Sequence, residues 1–386
     1  MKKNCKKIKV LHCLNSMNVG GIESWLKQLV EIKDEGTQFD FFLTVTNGFY
    51  DKTLINNGCK LYKSPPLRHL RKYKEQLKEL LTKNNYDALH VHGSEFLGDL
   101  MKVASDAGIK VRVSHCHNTV LARGKKGFLM ELRKFRKRYY ERGLISKYST
   151  NILACGNDAG RFLLGDDWAT SKKTQILYCG VNTEKFIEIE SDKSKTDKLR
   201  KHYNIDKGTL VIGHVGSMGS TNQKNHPFIL KVFRKVLDIK PSAVLFLAGD
   251  GPSKPLIEKL VSDYQMTDNV IIPGIVSDVP SVMTHLFDVN FLPSLWEGLP
   301  VAGLEATAAG LVTVCSNKVT EEFTHVFKSR VKILPLEADL NEWAMLLLKQ
   351  SDNKIKVAEG GDLLNSLGFS INSSLLGLEN IYRQGY

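Results

Sequence analysis

The sequence has no uninterrupted apolar run of about 20 residues, the length that a membrane-spanning helix needs. Its most apolar region, residues 289–315, is interrupted by Glu297, Glu305 and two prolines. The basic N-terminus imitates the start of a signal peptide, but its apolar run Val10–Leu14 is too short for one. We therefore expect a first β-strand at this position and a chain that does not cross a membrane.

Cysteine is scarce and shows no pairing pattern. The seven cysteines are odd in number and scattered, and no two of them form a C-x-x-C pair. This excludes a disulfide or zinc framework and favours reduced thiols in a cytosolic compartment. Short repeats and low-complexity tracts are also lacking.

Positive charge is present in excess and is concentrated in one segment. The 386 residues are 42% hydrophobic and 25% charged, which is typical of a globular protein of two or three domains. The net charge is +13, and ten Lys or Arg residues lie between Leu121 and Lys147, against only Glu131 and Glu141. Aromatic and aliphatic side chains alternate with them, so the segment fits a helix on an anionic membrane surface, a solvated helix face or a nucleic-acid contact.

Strand-like and helix-like stretches alternate along the chain, and the alternation restarts after the polar segment Glu184–Asp206. This pattern predicts an α/β fold with parallel sheets covered by helices on both faces. We predict a Rossmann-like domain over residues 1–180, a second one over 181–366, and a final helix over 367–386.

The stretch Pro293–Cys315 carries the strongest signal. An apolar strand ends at Leu292 and a Gly-Leu-Pro turn follows. A helix of small residues begins with Pro300, whose fixed φ suits the first helical position. The turn then leaves the amides of Gly298, Leu299 and Val301 free to bind a phosphate or a sugar hydroxyl.

Two glutamates frame this helix. Glu305 lies about 8 Å beyond the turn that follows Glu297, at roughly 1.5 Å per residue. The helix between them consists of Ala, Gly, Leu and Thr, and a carboxylate in such a close-packed helix needs a partner. The two carboxylates are therefore expected to grip opposite ends of one ligand.

This stretch, S-L-W-E-G-L-P-V-A-G-L-E-A-T-A-A-G, resembles the E-x7-E signature of the family 4 retaining glycosyltransferases, which have the GT-B fold. The resemblance implies that Glu297 contacts the donor sugar and that Glu305 holds the ribose hydroxyls of the nucleotide. It also implies two facing domains with a cleft between them, a C-terminal helix that returns to the first domain, no cofactor and no metal.

Gly20 and Gly21 follow the first predicted strand and precede a helix, so the backbone there can approach an anion closely. The resemblance places them against the donor's phosphates or the reacting sugar. The loop is not G-x-G-x-x-G, which makes a dinucleotide fold the weaker interpretation, and a plain strand-to-helix turn stays open.

The motif His115-Cys116-His117-Asn118-Thr119 ends another predicted strand. H-x-H is compatible with a metal, but no third ligand cluster lies nearby in sequence. The resemblance assigns His117 to the reacting face of the sugar. A structural role is an equal alternative for His115.

In the second half, the resemblance assigns Lys224 of Gln223-Lys224-Asn225 to the donor diphosphate and Val276 to the edge of the base. The arginine that the family pattern pairs with this lysine is replaced by Ser217 and Met218. Because Arg binds phosphate with two parallel hydrogen bonds, this departure favours either another cation or weak donor binding.

The resemblance thus implies a metal-independent hexosyltransferase that moves a sugar, with retention, from a UDP-sugar to a lipid-linked or growing glycan. It points to bacterial capsule, exopolysaccharide and O-antigen synthesis, at the cytoplasmic face of the plasma membrane. Because acceptors in this family are often lipid-linked, the basic helix near 123–147 is expected to contact the membrane surface. A solvated helix face is the second interpretation, and nucleic-acid binding is not expected. The alternatives are a degenerate GT-B scaffold subunit, a GT-B nucleotide-sugar epimerase and, more remotely, a nicotinamide oxidoreductase.

Overall fold

A computed structural model describes residues 7–93, 96–117 and 128–385, without the side chains of residues 128–135 and 385. The chain forms two compact units. One contains Met1–Cys179 together with Ile371–Tyr386, and the other contains Gly180–Ser370.

The first unit is built on a seven-stranded parallel sheet with the order β3-β2-β1-β4-β5-β6-β7. Its strands are β1 (Ile8–Leu14), β2 (Thr37–Leu43), β3 (Leu61–Lys63), β4 (Ala88–His92), β5 (Val111–Cys116), β6 (Asn151–Ala154) and β7 (Thr174–Ile176). Its helices before the second unit are α1 (Gly21–Ile32), α2 (Asp51–Asn56), α3 (Leu70–Asn84), α4 (Leu97–Asp106), α5 (Phe128–Tyr148) and α6 (Asn157–Leu164).

The second unit has a six-stranded parallel sheet with the order β10-β9-β8-β11-β12-β13. Its strands are β8 (Val211–Val215), β9 (Val244–Ala248), β10 (Val270–Gly274), β11 (Val289–Leu292), β12 (Thr313–Ser316) and β13 (Val331–Leu334). Its helices are α7 (Thr183–Ser191), α8 (Ser194–His202), α9 (His226–Ile239), α10 (Lys254–Asp263), α11 (Val279–His285), α12 (Val301–Ala308), α13 (Glu321–Thr324), α14 (Leu340–Gln350) and α15 (Val357–Ser366).

The last helix, α16 (Ile371–Tyr382), belongs to the first unit. Ser374 Oγ donates to the carbonyl of Tyr178 at 2.7 Å, and Tyr382 is completely buried with its hydroxyl 2.6 Å from His90 Nδ1. The first unit is therefore completed by a helix that follows the second unit in sequence.

The prediction of two doubly wound α/β units is confirmed. The polar segment 184–206, after which the alternation restarts, lies in the helices α7 and α8. Phe186 and Ile189 are buried at helical spacing, and the Asn182 side chain caps α7 by accepting from the Lys185 amide. In α7, two buried apolar side chains and one N-cap are sufficient to stabilise a helix whose polar composition hides the helical periodicity.

Candidate functional site

The carboxylate of Glu297, in the loop after β11, is held by three side chains. Lys224 Nζ donates to Glu297 Oε1 at 2.5 Å, and Ser294 Oγ donates to the same oxygen at 2.8 Å. Gln223 Nε2 donates to Oε2 at 3.4 Å. Only 7% of Glu297 is exposed. Because a buried charge is stable only when it is paired and hydrogen-bonded, these contacts fix an anion where the strand ends.

The loops after β8 and β11 are joined by three hydrogen bonds to backbone carbonyls. The Leu295 amide donates to the carbonyl of Gln223 at 2.8 Å, and Gln223 Nε2 donates to the carbonyl of Trp296 at 3.0 Å. Asn225 Nδ2 donates to the carbonyl of Pro293 at 3.1 Å. Since β8 and β11 are parallel neighbours, their carboxyl ends meet at one edge, which is the usual ligand edge of such sheets. The structure therefore brings Lys224 and Glu297 together at this edge.

Glu305 lies on α12 and is 8% exposed. The small residues of α12 allow close packing, since a Cβ on Gly303 would lie 2.5 Å from Phe323 Cζ. The helix begins at Val301, and Pro300 precedes it with φ −78° and ψ 97°. The prediction that Pro300 is the first helical residue is thus wrong by one position. Its extended ψ lets its carbonyl accept the helix's first bonds, from the amides of Gly303 and Leu304.

The loop after β8 explains what replaces the expected arginine. Met218 is completely buried in the core of the second unit, and its amide donates to the carbonyl of Asp250 at 2.9 Å. Ser217, by contrast, is exposed. Met218 is therefore a core residue. Of the two positions, only Ser217 can present its side chain to a ligand.

Val276 lies in the loop between β10 and α11 and is half-buried. The loop is fixed at both ends. The carbonyl of Gly274 accepts from the amide of Gly249 at 2.9 Å, and Asp278 caps α11 by accepting from the amide of Ser281 at 3.3 Å. The backbone around Val276 is thus held in one conformation beside the loop after β9.

In the first unit, α1 begins at Gly21, and Gly20 is the residue before it. A Cβ on Gly20 would lie only 2.2 Å from Glu23 Oε2, so the Glu23 carboxylate approaches the glycine loop closely. Burial raises the pKa of Glu23, while a hydrogen bond to its own backbone lowers it. A carboxylate therefore already occupies the start of this helix, where an anionic ligand was expected to bind.

His117 follows β5 and is 8% exposed. Its Nε2 lies 3.1 Å from His92 Nδ1, and its Nδ1 lies 3.5 Å from Cys179 Sγ. Both ring nitrogens thus have protein partners, so contact between this ring and a sugar requires one of these bonds to be exchanged. The adjacent strand β4 carries His90 and His92. Their imidazoles lie beside those of His115 and His117, although the two pairs are remote in sequence.

Two family models match the chain. "Glycosyltransferase Family 4" covers residues 19–185, and "Glycosyl transferases group 1" covers residues 195–341. EpsF of Bacillus subtilis (strain 168) is 31% identical over 98% of this chain and 97% of its own. The chain belongs to glycosyltransferase family 4.

Other relatives are more distant. The UDP-Gal:alpha-D-GlcNAc-diphosphoundecaprenol alpha-1,3-galactosyltransferase of Escherichia coli is 25% identical over 82% of this chain and 81% of its own. The crystal structure of Anabaena HepE with UDP and glucose superposes with a TM-score of 0.78 at 14% identity, over 98% of this chain and all of HepE. This likeness shows that the family 4 transferase has the GT-B fold.

The basic helix α5 of this transferase is only partly described. Its first predicted residues, 123–127, and the side chains of 128–135 lie outside the described part of the chain. Tyr139 and Tyr140 are 77% and 59% exposed, whereas Ile145 is buried. Lys137 Nζ lies 3.9 Å from the centre of the Phe96 ring. Across residues 7–93, 96–117 and 128–385, no helix has both the length and the apolarity to span a bilayer.

Proposed function

We propose that this family 4 glycosyltransferase transfers a hexose from a UDP-sugar to a lipid-linked or growing glycan in cell-surface polysaccharide synthesis, with retention and without a metal ion. The observation that carries the proposal is the Glu297 carboxylate fixed by Lys224 at the edge of the second sheet. The name of the Escherichia coli relative, with its UDP-galactose donor and diphosphoundecaprenol-linked acceptor, supports the substrate classes. HepE, crystallised with UDP and glucose, supports the donor.

The second unit binds the donor in this proposal. Lys224 and the amides of Gly298, Leu299 and Val301 stabilise the charge that develops on the leaving diphosphate, the type of contact that contributes most to such transfers. Glu297 orients the sugar and Glu305 binds the ribose hydroxyls, while the backbone at Val276 contacts the base. Lys224 carries three N–H donors, so a phosphate oxygen can bind without loss of its bond to Glu297.

The first unit binds the acceptor. Gly20 and Gly21 lie against the donor's phosphates or the reacting sugar, and His117 faces the transferred sugar. The Glu23 carboxylate beside Gly20 repels a phosphate at the start of α1, which favours the neutral sugar over the phosphates as the contact of this loop.

Glu305→Ala is expected to weaken UDP binding about tenfold, because the ribose loses a charge-assisted hydrogen bond. Thermal unfolding with and without UDP measures this. A tenfold weaker complex loses about 1.4 kcal/mol of ligand stabilisation when UDP is well above its dissociation constant. Glu321→Ala, which removes an exposed glutamate from α13, is the matched control.

The same assay with a panel of nucleotide sugars and NAD tests the alternatives. If neither UDP nor any nucleotide sugar stabilises the parent protein, the scaffold hypothesis replaces the proposal. Conversion of one sugar nucleotide into its epimer, without UDP release, would favour the epimerase, and stabilisation by NAD alone would favour the oxidoreductase.

The proposal places the enzyme at the cytoplasmic membrane surface through α5. Arg136 and Arg138 are exposed on this helix, and each basic residue near an anionic bilayer contributes about 1 kcal/mol. Replacing both by Gln is expected to weaken binding to vesicles containing phosphatidylserine about 30-fold in a sedimentation assay. The pair Lys198→Gln and Lys201→Gln removes equal charge from exposed positions on α8 and should have little effect. Equal loss in both pairs would indicate non-specific attraction.

A further inference from the structure

Two H-x-H pairs lie side by side in the first unit. His90 and His92 are on β4, and His115 and His117 are at the end of the adjacent parallel strand β5. Across the strands, His90 Nε2 is 3.1 Å from His115 Nδ1 and His92 Nδ1 is 3.1 Å from His117 Nε2. Along each strand the ring centres are 4.1 Å and 3.9 Å apart. Nitrogen atoms of four imidazoles therefore lie within a few ångströms of one another.

His12 on β1 adds a fifth ring, with its Nδ1 3.0 Å from His92 Nε2. Five of the chain's eleven histidines thus form one cluster, and each is less than 9% exposed. Burial lowers the pKa of His12 and His117 to about 3 and that of the other three well below 6.5. The rings are therefore neutral at physiological pH, and neutral imidazole is the form that binds metal ions.

The hydrogen bonds within the cluster leave polar atoms unsatisfied. His12 Nε2, His115 Nε2 and Trp25 Nε1 are buried and have no hydrogen-bond partner among the described residues. Trp25 packs edge-on against the His115 ring, with the ring centres 5.6 Å apart. Buried nitrogens without partners are rare in folded proteins, so two unsatisfied imidazole nitrogens in one cluster call for a ligand.

We propose that this histidine cluster binds one transition-metal ion, held by His92 with His115 and His117 or by His92 with His12 and His90. In each set the candidate ligand atoms lie within 4.8 Å of one another. Tetrahedral coordination at about 2.0–2.1 Å requires nitrogens roughly 3.3 Å apart. This is close to the 3.1 Å between His92 and His117 in the first set and the 3.0 Å between His12 and His92 in the second. An ion can therefore replace a shared proton with small ring movements.

The ligand chemistry limits which ion binds. An all-imidazole set suits zinc, copper, nickel and cobalt, whereas calcium and magnesium prefer oxygen ligands. Burial among neutral ligands also favours low charge, because the cost of desolvating an ion rises steeply with its charge. His92 belongs to both sets, so a single ion per chain is expected. The outer nitrogens of His117 and His90 are oriented by Cys179 Sγ and the Tyr382 hydroxyl, as is usual for metal-binding histidines.

The test uses the full chain without a histidine tag. Metal content is measured by mass spectrometry after purification, and again after refolding with Zn²⁺ or, anaerobically, with Cu⁺. We expect close to one ion per chain by one of these routes. Refolding with Co²⁺ should add the visible absorption bands of a nitrogen-ligated site. Less than about 0.1 ion per chain by every route would overturn the proposal.

Variants locate the ion. His92→Asn should lose at least 90% of the bound metal, while His325→Asn, which changes an exposed histidine of the second unit, should retain it. Equal loss in both would refute the site. If His92→Asn fails to fold, His12→Asn and His115→Asn are compared instead, and retention of full metal content by both would also refute it. UDP-dependent stabilisation of the metal-free protein is measured in parallel, since the residues proposed to bind UDP itself, among them Lys224 and Glu305, lie in the second unit.

Discussion

Glu297→Gln is expected to lower kcat for sugar transfer by about 100- to 1,000-fold. The amide keeps the shape of the side chain but removes the negative charge that pairs with Lys224 Nζ and accepts from Ser294 Oγ. Loss of one preorganised electrostatic contact to the transition state costs roughly 3–4 kcal/mol in enzymes of other kinds. Release of UDP and of glycosylated product, measured under initial-rate conditions, reports the change.

The controls separate catalysis from folding. Glu321→Gln alters an exposed glutamate and should leave kcat within about twofold. Because Lys224 and Glu297 act as a pair, the double variant with Lys224→Met should be little worse than either single variant. Additive losses would show that the two side chains act independently, and unchanged kcat in Glu297→Gln would remove Glu297 from the mechanism.

Gly213→Ala is expected to destabilise the second unit by about 3 kcal/mol or to prevent its folding. A Cβ at this position of β8 would lie 1.9 Å from Phe287 Cδ2. Phe287 is 1% exposed and packs against Phe246 with the ring centres 5.6 Å apart, so the ring has no free space into which to move. Overpacking of a dense core typically costs 1–3 kcal/mol, and this contact is severe.

Urea unfolding measures the change in free energy. Gly219→Ala is the matched control, because its added Cβ would lie 4.0 Å from the nearest atom outside its chain neighbours, Thr221 Oγ1. This variant should stay within about 0.5 kcal/mol of the parent. Equal stability of both variants would show that β8 and Phe287 can separate without cost.

The sequence was sufficient to predict the fold, and the strand, turn and helix around Glu297, because both depend on local patterns. The strand-turn-helix around Glu297 is contiguous, and its register follows from the apolar strands on either side. The predicted place of Pro300 in the helix was wrong by one residue, because composition does not distinguish a proline at the N-cap from a proline at the first helical position. The burial of Met218 was also not predictable, since it depends on the backbone contact to Asp250 in the next loop.

The histidine cluster was missed for a related reason. His12, His90 and His115 are spread over about a hundred residues, and only the pairing of β1 with β4 and of β4 with β5 brings their rings together. No third ligand lies near His115 and His117 along the chain, because in parallel strands it comes from the neighbouring strand. The sequence signal of such a cluster is an H-x-H pair at the ends of two consecutive predicted strands.

The placement of α16 has a consequence for how the protein is made. A ribosome that has translated as far as Ser370 has supplied every residue of the second unit, yet the first unit still lacks its final helix. Tyr382, which contacts His90, is translated only after all of the second unit. The second unit can thus fold before α16 is made, whereas the first unit is complete only once α16 has been translated, and truncation before α16 would damage the part of the protein translated first.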